Sequence, residues 1–278
     1  MPLTLQQIHF FQTFGYLGLP SLLLDHIEKI TTAFEEIWAQ NGNGHNGQPH
    51  NGEARSCIVP FIDQHPVLCS LLDDPRILGI AEPLLGADFN YMGSAGNYYV
   101  GDTDWHSDGW KKATDPTHLK IAFYLDPLTR DTGALRVIPG SHREGEAYAD
   151  ELQTKVRASP DQWAIGGDDV PAVALETRPG DVVCFNHNTK HAAFGGSKRR
   201  RMFTINLCQR YPQNRLQDLR DYIAGSARFW VERKYGDIMV ATAGPERMVH
   251  LEQPMANDGH LAELAQKARE EMDEPSRG

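Results

Sequence analysis

Several classes of protein are excluded by what this sequence lacks. Its four cysteines form no CxxC pair and show no disulfide-framework spacing. No apolar run approaches the roughly 18 residues of a membrane-spanning helix, no repeat indicates a solenoid or propeller, and no signal peptide is visible. We therefore expect reduced core thiols in a cytoplasmic protein that has no membrane partner.

Positive charge is also scarce. Lysine and arginine together number 27 against 37 aspartates and glutamates, so the formal net charge is −10. This balance argues against a nucleic-acid partner or a basic membrane-binding surface. The remaining composition, 40% hydrophobic and 23% charged over 278 residues, is that of a globular protein with a substantial core.

The hydrophobic pattern divides the chain into helical residues 1–89, β-prone residues 90–212 and helical residues 213–278. The predicted helices cover 4–14, 21–40, 74–85, 215–223 and 261–272. The predicted strands cover 95–100, 118–125, 134–138, 172–176, 181–185 and 202–208. This order predicts one α+β domain, 1–278, whose jelly-roll core is flanked by N- and C-terminal helices.

Two polar segments interrupt these elements. Residues 41–52, NGNGHNGQPHNG, contain nothing apolar enough to bury, and we predict a mobile solvated loop, with a substrate lid as the alternative. Its His45 and His50 are therefore not expected to bind a metal. Residues 144–170 are polar and rich in glycine and aspartate, and we predict an inserted loop there.

The clearest chemical signal lies in NYYVGDTDWHSDGW, residues 97–110, which contains His106 and Asp108. In an extended segment, residues two apart point to the same side, so this pair offers an imidazole nitrogen and a carboxylate oxygen to one point. One more imidazole would complete the 2-His-1-carboxylate ligand set of non-haem Fe(II) oxygenases.

Two histidines that follow the predicted strand 181–185 could supply that imidazole. His187 and His191 have HxxxH spacing, which would suit zinc if the segment were helical. The segment is strand-like and then turn-like, so we favour His191 as the ligand. His187 is then expected behind the ligands or at the surface.

A basic stretch leads into the last predicted strand in SKRRRMFTINL. A guanidinium carried inward there, from Arg200 or Arg201, would hold a planar carboxylate through two hydrogen bonds. If Arg200 faces inward, the same face of the strand carries Met202, Thr204 and Asn206. A dicarboxylic cosubstrate beside iron would need such a contact.

Other inward positions are predicted from the strand 118–125. One alternation points Lys120 and Tyr124 inward, where Lys120 is either a rim residue or a second contact to cosubstrate or substrate. Aromatic residues crowd the ligand segments, and one or two of them could form an apolar substrate wall: Tyr98, Tyr99, Trp105, Trp110 and Phe194.

Taken together, these motifs resemble the phytanoyl-CoA dioxygenase family of Fe(II)/2-oxoglutarate-dependent oxygenases. The similarity runs in order through LTLQQIHFFQTFGYLGLPSLL, WHSD, IAFYLDPLTRDTGALRVIPGSHR, PGDVVCFNHNTKHAAF and RRRMFTINL. It implies a double-stranded β-helix, cupin-like in form, with His106, Asp108 and His191 on Fe(II). It also implies an arginine on the 2-oxoglutarate C5 carboxylate. Matching the double arginine favours Arg200, whereas matching the spacing from the distal histidine favours Arg201.

The resemblance implies an enzyme that uses O₂ and 2-oxoglutarate to oxidise a C–H bond of a small organic molecule, releasing succinate and CO₂. Hydroxylation is the expected outcome. Because Asp108 stands where a halogenating iron site has no carboxylate, chlorination is not expected. Two alternatives stay open, namely a cupin-like metalloenzyme that does not use 2-oxoglutarate and a non-catalytic binding protein of the same fold. A homodimer is compatible with the sequence.

Overall fold

The computed structural model describes residues 2–109 and 116–278. The α-helices in these ranges are α1 (Leu5–Phe14), α2 (Ile27–Gln40), α3 (Pro66–Cys69), α4 (Pro75–Leu85), α5 (Ala147–Lys155), α6 (Ser159–Trp163), α7 (Leu216–Ala224), α8 (Asp237–Ala241), α9 (Pro245–Met255) and α10 (Leu261–Glu271). The strands are β1 (Tyr16–Leu19), β2 (Gly44–His45), β3 (Gln48–Pro49), β4 (Ser56–Ile58), β5 (Asn90–Tyr99), β6 (Thr103–His106), β7 (His118–Tyr124), β8 (Leu135–Val137), β9 (Val173–Leu175), β10 (Val182–Asn186), β11 (His191–Ala193) and β12 (Arg200–Cys208). None of the described helices combines the length and the apolar character needed to cross a membrane.

Two antiparallel sheets form the core. The larger sheet has the strand order β1-β10-β7-β12-β5-β4, and the smaller has the order β6-β11-β8-β9. Strands that are distant in sequence lie side by side in both sheets, as in a jelly roll. The predicted fold class is therefore confirmed, and each of the six predicted strands corresponds to an observed one.

The two faces of the larger sheet have different partners. On β12, Phe203, Ile205 and Leu207 are fully buried against the N-terminal helices. The alternate residue Met202 packs instead with Phe185 toward the smaller sheet. Each fully buried large side chain contributes about 1.5–3 kcal/mol relative to exposure, so this burial determines which side of β12 faces inward.

Helix α2 supplies much of the outer layer, although it is shorter than predicted. Its apolar stripe, including Ile30, Phe34 and Ile37, is buried on the sheet as expected. The predicted start at residue 21 is wrong, because Ser21 adopts a left-handed φ of 56°. A 3-10 turn over Leu24–His26 follows, and α2 begins after it.

Two further predictions need correction. Residues 41–52 are not loop alone, because β2 and β3 pair there as a hairpin and only 3% of His45 is exposed, although residues 46–49 at the turn are exposed. His45 Nδ1 lies 3.0 Å from the Cys57 carbonyl oxygen and Nε2 lies 2.8 Å from that of Pro275. No residue of this segment lines the cavity described below. Residues 144–170 contain α5 and α6 rather than loop alone. Short amphipathic helices without strong apolar periodicity are hard to distinguish from polar loops in a sequence.

Candidate metal centre and cosubstrate pocket

Strand pairing brings the three predicted metal ligands together. His106 ends β6 and His191 begins β11, and the two residues are direct partners in the antiparallel register. Their ring centroids lie 4.2 Å apart. Asp108 follows two residues later, with its backbone N–H bonded to the His187 carbonyl at 2.8 Å. One ligand atom from each of the three side chains lies within 4.8 Å of the others.

Backbone carbonyls orient both imidazoles. His106 Nδ1 lies 2.7 Å from the Asp104 oxygen, and His191 Nδ1 lies 2.8 Å from the Thr189 oxygen. A carbonyl can only accept, so both Nδ1 atoms carry hydrogen and both Nε2 lone pairs remain available to a metal. Burial lowers the pKa of His191 to about 3, although Asp108 opposes this effect. The ring is therefore neutral, as a ligand must be.

Asp108 is ionised in this setting. Burial alone would raise the pKa of its carboxyl, but the neighbouring Lys120 ammonium is the largest opposing effect, and the pKa lies well below its usual range. Asp108 Oδ2 lies 2.5 Å from Lys120 Nζ and 3.5 Å from His191 Nε2. Two imidazoles and one carboxylate on one face fit a divalent first-row metal with open positions.

A cavity of about 860 Å³ adjoins these ligands, between the two sheets. The predicted inward residues Lys120, Tyr124, Arg200 and Thr204 all line it. Phe185 closes one wall, with its ring 4.8 Å from the His191 ring. The alternation predicted for β7 and β12 is therefore observed.

Arg200 is a buried cation, and some of its N–H groups are available to a ligand. It is 3% exposed, and its Nε and Nη1 atoms are buried without a hydrogen-bond partner among the described residues. Its guanidinium lies over the Tyr99 ring at 5.2 Å. A methyl group at Gly133 or Gly196 would collide with Nη1, so these glycines leave the space that the guanidinium occupies. An unpaired buried guanidinium is costly unless a ligand supplies acceptors.

Arg201 lies on the opposite face of β12. Its Nε and Nη2 atoms donate to Asp126 Oδ1 at 3.0 and 2.6 Å, and Nη1 donates to Glu35 Oε1 at 3.0 Å. These partners occupy its guanidinium at the edge of the helical layer, and Arg201 does not line the cavity. The structure therefore does not bring Arg201 to the site, which corrects the alternative derived from histidine spacing.

Most of the aromatic residues that were predicted as a possible substrate wall pack in the core instead. Tyr99 lines the cavity, whereas Tyr98 stacks on Trp38 at 4.0 Å on the helical side. Trp105 and Phe194 belong to a separate apolar cluster. Trp110 lies outside the described residues.

Other cavity residues were missed or misplaced by sequence reasoning. His187 is 5% exposed and lines the cavity, so the surface alternative for it is wrong. Arg55 from the segment before β4, and Arg228 and Lys234 from the C-terminal region, also line the cavity. No local motif marks these positions, because they reach the site only through long-range packing.

The fold and the site together define a class, a jelly-roll protein with the 2-His-1-carboxylate ligand set and an arginine in the same cavity. A model of the family named Phytanoyl-CoA dioxygenase (PhyH) matches residues 11–202, more than half of the chain. The protein belongs to this family, as the sequence motifs predicted.

Individual relatives are more distant. An ectoine dioxygenase from Sphingopyxis alaskensis is 30% identical over 168 residues, which is 53% of this chain and 55% of that relative. The chain thus matches only about half the length of that relative. The crystal structure of the carbocyclase SnoK from nogalamycin biosynthesis has a TM-score of 0.58 and 24% identity, over 74% of this chain and 84% of SnoK. HygX from Streptomyces hygroscopicus, with nickel and 2-oxoglutarate bound, has a TM-score of 0.58 and 16% identity, over 76% and 89%. Both structural likenesses establish the fold.

Proposed function

We propose that the protein is an Fe(II)- and 2-oxoglutarate-dependent oxygenase that oxidises a C–H bond of a small organic molecule, with release of succinate and CO₂. The observation that carries this proposal is the presence of two complementary parts in one cavity. Three metal-ligand side chains meet at one point, and Arg200 presents an unpaired buried guanidinium to the same cavity.

Each residue then has a distinct task. His106, Asp108 and His191 would hold the iron. Arg200 would bind the C5 carboxylate of 2-oxoglutarate through two charge-assisted hydrogen bonds. Bound Fe(II) supplies the oxidation chemistry, using O₂ and 2-oxoglutarate, whereas the protein binds, orients and shields the reactants.

Three further residues would support the cosubstrate. Tyr124 and Thr204 line the wall beyond Arg200 and offer hydroxyl groups. Lys120 keeps Asp108 ionised through their contact, and it also borders the cavity where a second contact to 2-oxoglutarate or substrate is proposed.

The relatives and the cavity support a small-molecule substrate. The Sphingopyxis relative is an ectoine dioxygenase, and HygX holds nickel and 2-oxoglutarate. The cavity volume of about 860 Å³ lies within the usual range for small-molecule sites. Beside this proposal, the single-domain organisation, the cytoplasmic location and the homodimer stay predictions.

Calorimetric titration of 2-oxoglutarate into the Mn(II)-loaded protein tests the proposal without a known substrate. The native protein should bind, and Fe(II) with ascorbate should then support succinate release across a panel of small molecules. His106→Ala, Asp108→Ala and His191→Ala should each lose Mn(II) binding while circular dichroism shows a folded protein. His9→Ala, an exposed control, should retain it.

The same experiment separates the alternatives. Metal binding without 2-oxoglutarate binding would favour the cupin-like metalloenzyme, for which the unpaired Arg200 would have no use. If the native protein binds neither Mn(II) nor 2-oxoglutarate, the non-catalytic binding protein is favoured.

A further inference from the structure

The strand register defines an end of the cavity that is remote from Arg200. Along β12 the inward residues run from Arg200 to Asn206, which is about 20 Å at roughly 3.3 Å per residue. Asn206 pairs with Lys120 on β7 and with Gly93 on β5. Because Lys120 contacts Asp108, this Asn206 end of the cavity lies beside the metal ligands.

The ammonium of Lys234 lies at the Asn206 end. Lys234 lines the cavity although only 4% of the residue is exposed. Gly93 has no side chain to point inward beside its partner Asn206, and a Cβ built there would lie 3.6 Å from Lys234 Nζ. The ammonium therefore lies directly beside the backbone of Gly93, whose φ of 116° suits glycine. Lys234 lies beyond residues 11–202, the part of the chain that matches the family.

In the described part of the chain this ammonium has one hydrogen-bond partner and no carboxylate within 4 Å. Lys234 Nζ donates to the carbonyl of Met92 at 2.5 Å, and Met92 is the residue left unpaired where the β5–β12 register shifts. An ammonium has three donors, so two remain unused. Burial lowers the pKa of Lys234 to about 8, although Asp63 and Asp258 oppose this effect. The group is therefore still largely protonated at neutral pH.

Apolar, polar and cationic side chains surround the Lys234 ammonium. Met92, Phe229 and Val231 give the Asn206 end apolar walls. Asn206 Oδ1 is buried there, with no hydrogen-bond partner in residues 2–109 and 116–278. Arg228, which is exposed, adds a second cation to the cavity lining. A buried charge without a salt bridge and with unused donors destabilises the fold, and such charges are found where a ligand completes the pairing.

We propose that the Asn206 end is a subsite for an acidic group of the substrate, whose anionic oxygens are held directly by Lys234. The identification of this ligand as the substrate rests on the proposed function. Arg200 and Lys234 would then bind two different anions at opposite ends of the cavity, the cosubstrate at one and the substrate at the other. The substrate class is a small acid whose apolar part packs on Phe229 and Val231.

The test compares acids with their uncharged amides. The probes are acetate with acetamide and benzoate with benzamide, titrated by calorimetry into the Mn(II)-loaded protein with saturating 2-oxoglutarate. Under these conditions Arg200 is occupied and no turnover occurs. The native protein should bind an acid about 10- to 100-fold more tightly than its amide, as expected for a hydrogen-bonded charge.

Lys234→Gln should abolish this preference, because glutamine keeps a donor for the Met92 carbonyl but has no charge. Arg228→Gln is the matched control at an exposed cavity cation, where we expect an effect of about threefold or less. Lys234→Met is a second charge-removing variant in case the glutamine variant does not fold. Equal affinity for acid and amide in the native protein, an unchanged preference in a folded Lys234 variant, or a larger loss in Arg228→Gln would each overturn the subsite.

The same samples also test the proposed function independently of the subsite. Titration of 2-oxoglutarate alone reports whether the cosubstrate binds, and its failure would count against the oxygenase. The acid and amide titrations repeated without 2-oxoglutarate would still show whether affinity depends on Lys234.

Discussion

Replacing Arg200 and Arg201 one at a time tests which face of β12 binds 2-oxoglutarate. Arg200→Met removes the guanidinium of a residue that is 3% exposed, and two of its buried nitrogens have no hydrogen-bond partner in the part of the chain that the structure describes. A charge-assisted bidentate contact to a carboxylate is worth about 2–4 kcal/mol. The dissociation constant for 2-oxoglutarate should therefore rise by about 30- to 1000-fold. The free energy of unfolding should not fall, because a buried cation without a protein partner is lost.

Arg201→Met should show the opposite pattern. Arg201 is paired with Asp126 and Glu35, and about 27% of its side chain is exposed. Losing this pairing should lower the free energy of unfolding by about 1 kcal/mol. The affinity for 2-oxoglutarate should change little, because Arg201 does not reach the cavity.

Calorimetry with the Mn(II)-loaded protein measures the affinities, and urea denaturation measures the stabilities. A second ligand sharpens the comparison, namely 2-oxopentanoate, which has a methyl group in place of the C5 carboxylate. The native protein should prefer 2-oxoglutarate strongly, and Arg200→Met should lose most of that preference. If Arg201→Met loses it instead while Arg200→Met retains it, the register of β12 against its neighbouring strands is wrong by one residue.

Three other predictions concern neighbouring features. His187→Ala should retain Mn(II) affinity in an electron paramagnetic resonance titration, because its ring is not part of the ligand cluster. Gly133→Ala should weaken 2-oxoglutarate binding in calorimetry, because a methyl group would displace the Arg200 guanidinium and the glycine φ is 93°. Once a substrate is found, mass spectrometry with ¹⁸O₂ and saturating chloride should show an oxygenated product and no chlorinated one, since Asp108 supplies an anionic ligand where a halide would need room.

Local sequence patterns determined a large part of this protein. The two-residue spacing of His106 and Asp108 places both side chains on one side of an extended segment, whatever that segment pairs with. The apolar stripe of α2 and the six β-prone runs likewise depend on periodicities of 3.6 and 2 residues within one element. The order of the motifs was enough to identify the family, because each motif is read from consecutive residues.

The tertiary structure decided the questions that depend on pairing between distant segments. Whether Arg200 or Arg201 faces the cavity follows from the register of β12 against β5 and β7, and a slip of one residue would exchange the two. The charge of Lys234 meets the cavity only because the C-terminal region packs over Gly93, more than a hundred residues earlier in the chain. Single residues in a sequence do not encode such contacts, since they arise from burial and hydrogen bonding summed over whole sheets and helices.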